Sequence, residues 1–234
     1  MTYGIRARRV NGGGVQFDPT YCNLVARSAG SLAVTAWDGW SGARAATLSF
    51  DNPSGLAMVA YRASALTACM LVTSSGTTSS FKFISYDAST VDYWIFDVPQ
   101  YGTRYYEAAY GMRVKRLDGS VAFDSRYRYM RVLDIVRTEA AAFSRSYGAG
   151  VVPAVIVGAN SYRWLAQTDF PGDQWVFVRQ QYGAIRTAGA DVTGDTLIIT
   201  ATPFGNPNYP GGDYVEGPLE IPGNFKTLVD VASL

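Results

Sequence analysis

The chain has 234 residues, a formal charge of +1, 17% charged residues and no histidine. This length holds one large β domain or two of about 100 residues, and the near-zero charge gives no general case for nucleic acid or an acidic membrane surface as partner. The lack of histidine excludes Ser-His-Asp and Cys-His catalysis and the usual zinc sites, so the chain is expected to bind or build rather than catalyse.

Sixteen tyrosines, eleven phenylalanines, five tryptophans and 24 glycines lean the composition toward strands, and the low charged fraction hints at a surface covered by a partner. The N-terminal residues carry charge where a signal peptide needs an apolar run. No apolar stretch approaches the roughly 18 residues of a membrane span, so folding in a cytoplasm without membrane insertion is expected. Two cysteines, Cys22 and Cys69, make no disulfide framework and read as small buried hydrophobes.

From the N-terminus, residues 3–21 (YGIRARRVNGGGVQFDPTY) return at residues 110–127 as YGMRVKRLDGSVAFDSRY. With one glycine unpaired, nine of eighteen pairs are identical, among them Arg6/Arg113, Gly12/Gly119, Phe17/Phe123, Asp18/Asp124 and Tyr21/Tyr127. Chance would give about one match, so the repeat is a duplication. Each copy has the form of a β-hairpin, because alternating residues flank an Asn/Asp-Gly turn. Ile5 and Ala7, and again Met112 and Val114, are expected on a buried face. Arg6, Arg8, Arg113 and Lys115 are expected on a basic one.

After the first hairpin, strands are expected near residues 24–27, 32–36, 45–50, 57–61, 67–72, 81–86 and 91–98. The last two read as a hairpin turning at residues 87–90, and residues 91–98, apolar on both faces, as a central strand. The second half is expected to carry strands near residues 129–136, 154–157, 162–166, 174–179, 183–187, 196–200 and 225–231, with a short helix over residues 138–146. Residues 87–98 and 191–202 pair as matching closers of the halves, and residues 203–217 form a loop. The fold class is all-β: two related β-sandwich-like domains, 1–107 and 108–234, each opening with a β-hairpin.

Little chemistry survives. Gly12 to Gly14 lie between strands, where a hairpin turn outweighs a phosphate cradle. Asp213 and Glu216, or Asp38 beside Trp37 and Trp40, could supply one member of a glycosidase carboxylate pair, but turn-forming roles are the commoner fate. Asp191 and Asp195 flank a glycine without the ligand count of a calcium loop, so neither metal nor cofactor is expected. The basic run from Arg113 to Arg137 reads first as a salt-bridged strand face and second as a phosphate or polysaccharide contact. Trp40, Tyr101, Tyr105, Tyr106, Tyr209 and Tyr214 fall near loops, where rings suit a protein interface or sugar stacking.

The pattern Tyr-Gly-(Ile/Met)-Arg-x-(Arg/Lys), an Asn/Asp-Gly turn, then Val-x-Phe-Asp resembles the opening of small minor tail or tail tip proteins of long-tailed bacteriophages. It is carried by Tyr3, Gly4, Gly12 and Asp18, and again by Tyr110, Gly111, Gly119 and Asp124. The resemblance implies a structural virion component at the distal tail, docked in several copies onto other tail proteins. Arg6, Arg8, Arg113, Lys115, Tyr105 and Tyr106 are then the partner-binding residues. A carbohydrate or host-surface binding module is the alternative, and a carboxylate-based glycosidase a more distant one.

Overall fold

The computed structural model describes residues 7–8, 15–17, 23–37, 43–106, 111–116, 118–138, 142–159, 162–168, 175–200, 204–205, 224–232 and 234. All of its regular elements are strands. The first half contributes β1 (Ala7–Arg8), β2 (Val15–Phe17), β3 (Val25–Val34), β4 (Ala36–Trp37), β5 (Arg44–Asp51), β6 (Met58–Ala63), β7 (Thr67–Ser75), β8 (Thr78–Ser85) and β9 (Ser89–Asp97). The second contributes β10 (Arg113–Lys115), β11 (Val121–Asp124), β12 (Arg131–Thr138), β13 (Phe143–Ser146), β14 (Pro153–Ala159), β15 (Tyr162–Thr168), β16 (Trp175–Ala188), β17 (Asp191–Thr200), β18 (Phe204–Gly205) and β19 (Asn224–Asp230).

Two antiparallel sheets form a sandwich. The first runs β12-β19-β14-β6-β9-β3, and the second β13-β17-β16-β7-β8-β5-β4, with β15 and β18 added on β16. The principal core lies between them: Tyr61, Val91, Ile95, Val155 and Leu228 of the first sheet meet Leu48, Cys69, Phe83, Ile185 and Val192 of the second. Each fully buried aliphatic or aromatic side chain there contributes on the order of 1.5–3 kcal/mol. Tyr61 stacks edge-on against Phe83 at 5.4 Å and donates its hydroxyl to Thr67 O at 3.0 Å, so its polar tip is satisfied inside the core.

Apart from β4, β15 and β18, the strand order reads the same from both ends. Each half sends strands to the sheets in one sequence: first sheet, second, first, second, second, first. β3, β5, β6, β7, β8 and β9 thus correspond to β12, β13, β14, β16, β17 and β19. Registers make the match residue by residue. Val25 pairs Asp97 and Arg131 pairs Asp230; a bulge follows at Arg27 in one half and Leu133 in the other; then Ser28 pairs Ile95 and Asp134 pairs Leu228. The same logic equates Ala60 with Ile156 and Leu24 with Met130. Ala60 and Ile156 face each other across the β6–β14 junction, and Met130 N–H donates to Leu24 O at 2.9 Å, so a pseudo-twofold axis runs through both pairs. The duplication therefore extends from the hairpin to the whole fold.

Strands from both halves of the chain share the two sheets. β6 pairs β14, β7 pairs β16, and the principal core draws on both halves. Thr187 Oγ1 also donates to Ala63 O, and Arg62 Nη2 to Gly189 O, across the junction. The first sheet curls back on itself, because Ala26 N–H donates to Arg128 O at 2.8 Å just before β12 begins. Phe96, Ala154, Ile156, Val229 and Val231, with Trp94, Leu24 and Met130 against them, form a second cluster on the sheet face opposite the principal core.

Four expectations change. Residues 81–86 and 91–98 do not make a hairpin: β8 lies in the second sheet and β9 in the first, so residues 86–88 cross between layers. A hairpin and a crossover carry the same local pattern of apolar strands and polar turn. No helix spans 138–146, since Phe143–Ser146 pairs with residues 191–194 and Phe143 packs on the core. Asp191 and Asp195 sit on β17 after a turn whose Gly189 has φ 59°. Residues 191–202 match β8 rather than β9, whose true counterpart is β19. The two central-strand faces expected for residues 91–98 are present, with β9 between β6 and β3.

Candidate functional site

The second hairpin, β10–β11, is positioned by the residues that define the repeat. Gly119 turns with φ 83°, and a Cβ on Gly111 would come within 2.9 Å of Ser125 Oγ. Asp124, almost wholly buried, is the hub: Arg113 Nε lies 2.8 Å from Oδ2, Arg126 Nη2 lies 2.6 Å from Oδ2, and Arg126 Nε donates to Oδ1 at 2.8 Å. Phe123 stacks on Tyr129 at 4.9 Å, and the Tyr129 hydroxyl accepts Asp124 N–H at 2.6 Å. Burial, with the Asp124 carboxylate next to it, pushes the Tyr129 hydroxyl up to about 12. Hydrogen bonds from Ser120 hold the turn's Asp118 below the usual carboxylate range.

Arg113 departs from the unpaired basic face expected of it in that its guanidinium pairs with Asp124 inside the hairpin, while its side chain stays 38% exposed. The apolar face departs too, since Met112 is 51% exposed and only Val114 is half-buried. Lys115 is exposed. Arg6 lies outside the described residues, as does the side chain of Arg8, and the same holds for Cys22, Asp38, Trp40, Tyr209, Asp213, Tyr214 and Glu216. Cys69 is buried, and burial raises the pKa of its thiol. Among the described residues no group of three potential metal ligands occurs, and no helix is long and apolar enough to cross a membrane.

Tyr105 and Tyr106 do come together with the second hairpin. Their linker is tied on both sides: Thr103 N–H donates to Ala26 O at 3.0 Å, and Tyr105 N–H to Arg126 O at 2.9 Å. Gly102 lets it pass, because an added Cβ would overlap Val25 Cγ2. Gly102→Ala is accordingly expected to cost about 1–3 kcal/mol in a urea titration, with the loss tracking the separation of linker and strand. The two tyrosine rings pack edge to face at 4.6 Å, and both are about half exposed, at 50% and 56%. The Arg128 guanidinium lies 3.0 Å from the Tyr105 ring centroid.

Beneath them opens a cavity of about 220 Å³, its walls including Ala26, Ala29, Trp94, Arg104, Tyr105 and Arg128. Arg27 also reaches it but is held by Asp97 Oδ2 at 3.1 Å. Sequence reasoning missed Arg104, Arg128 and Trp94 as a group, because they converge from three separated segments. The signal within reach was the excess of arginine between residues 104 and 131.

No protein-family model, curated protein or solved structure matches the chain.

Proposed function

We propose that the chain is a structural component of a bacteriophage tail tip or baseplate, docked in several copies onto other tail proteins and without catalytic activity. The observation that carries this reading is the corner where Tyr105 and Tyr106 expose large apolar surface beside Arg104 and Arg128, tied through Arg126 to a hairpin fixed by its own ion pairs. Aromatic and arginine side chains on a rigid support are the composition of protein interfaces. Its place is then the virion tail, after synthesis in the host cytoplasm, with no nucleic acid among its partners.

A second reading, contact with a host-surface glycan, is favoured by Trp94 and Tyr105 lining one cavity with three arginines, Arg27, Arg104 and Arg128. Light scattering of the purified protein, alone and mixed with tail particles of long-tailed phages, separates the two. Defined oligomers or co-sedimentation with tails are expected. A monomer that ignores tails and binds a glycan array would replace the assembly reading with the glycan one.

A further inference from the structure

The cavity under Tyr105 is lined by strand residues that the second half does not repeat. Strand registers equate Ala26 with Val132, Arg27 with Leu133, Ala29 with Ile135, Trp94 with Thr227 and Asp97 with Asp230. Both halves keep the buried aspartate, and each gives it an arginine, Arg27 for Asp97 and Arg131 for Asp230. Only the first half has the tryptophan and the small residues that leave a hollow. Strand pairing at the equivalent positions is met by Val132, Ile135 and Thr227, so the pairing itself does not demand this lining.

Its chemistry is specific. The walls are mostly apolar, from Ala26, Ala29, Trp94 and Leu234, and two guanidiniums stand beside them. Neither Arg104 nor Arg128 has an acidic partner among the described residues. Arg128 is held over Tyr105, which fixes its charge in place without neutralising it. A volume of about 220 Å³ falls below the roughly 300–1,000 Å³ of sites that enclose a whole small molecule, and it suits a single large side chain.

We propose that this cavity is a socket for an acidic segment of a neighbouring tail protein, which inserts one aromatic side chain while an adjacent carboxylate pairs with Arg104 and Arg128. The inference rests on the assembly reading and deepens it by naming the partner's chemistry. An aromatic anchor in an apolar pocket, rimmed by charge pairs that set orientation, is the usual arrangement of an interface hot spot.

The test uses the full chain and three fluorescein-labelled pentapeptides: phenylalanine flanked by aspartates and glutamates, the same peptide with alanine for phenylalanine, and the same with lysines for the acids. Anisotropy is expected to give binding of the first and at least tenfold weaker binding of the other two. Arg104→Glu with Arg128→Glu should abolish it. Ala29→Trp, which fills the hollow and leaves both charges, should weaken it at least tenfold with the melting temperature unchanged. Equal binding of all three peptides, or indifference to both variants, overturns the socket. Binding of a galacturonate oligosaccharide that Ala29→Trp abolishes, with no peptide bound, overturns it in favour of a glycan site. Co-sedimentation of wild type and Ala29→Trp alike with tails overturns the socket while leaving assembly intact, whereas failure of the wild type itself to sediment counts against assembly.

Discussion

Replacing Lys226 with methionine is expected to stabilise the protein by about 2 kcal/mol at pH 7, in the range found when buried charges give way to apolar groups of similar volume. Lys226 lies on β19, fully buried, with its Nζ lacking any hydrogen-bond partner and placed 5.2 Å above the Phe143 ring. Burial lowers its pKa from 10.5 to about 8. The folded state thus binds the proton less well than the unfolded chain does. Below pH 8 both states are protonated and the full penalty is present; between pH 8 and 10.5 the folded state loses its proton first and stability recovers. The stability difference between Lys226→Met and wild type, followed by urea unfolding from pH 7 to 10.5, should therefore shrink as pH rises. A difference that stays constant across that window would mean that the ammonium is not the destabilising element.

Asp97→Ala is expected to cost about 3 kcal/mol or more, because it strands several donors at once. The carboxylate is fully buried and accepts from Arg27 Nη1 at 3.1 Å, Ser54 Oγ at 2.6 Å and Val98 N–H at 2.7 Å. Its pseudo-symmetric counterpart, Asp230, accepts from Val152 and Ala232 N–H and pairs with an Arg131 that is more than half exposed. Asp230→Ala should accordingly cost less, about 2 kcal/mol, since water can take over the released guanidinium. Urea midpoints measured side by side decide the ranking. The reverse order would show that the two sites, though equivalent in register, are held by different interactions.

Much of this architecture was legible because strands announce themselves by alternation. The strands of the first half fall close to their expected places, and the repeat at residues 3–21 and 110–127 announced the duplication. In the second copy, Arg113 pairs with the buried carboxylate of Asp124 and Gly119 makes the turn, so both serve the hairpin itself. Layer assignment was not legible: nothing in residues 86–90 distinguishes a turn back into one sheet from a step to the other. The true closing strands did carry a signal, Ile95-Phe96-Asp97-Val98 against Leu228-Val229-Asp230-Val231, each carrying in third place the aspartate that an arginine secures. Lys226 was also within reach, since it alternates onto the same face as Leu228. The cavity was not, because Trp94, Arg104 and Arg128 meet only once the first sheet has curled and brought Ala26 to Arg128.

The strand registers relate the two halves across a pseudo-twofold axis, and the proposed socket lies on the first of them. Sedimentation of phage tails mixed with the wild type or with the Arg104→Glu/Arg128→Glu variant tests that account most directly, with melting temperatures recorded for both. The wild type is expected in the tail pellet and the variant in the supernatant at an unchanged melting temperature. Equal pelleting of the two proteins, or neither, would contradict it.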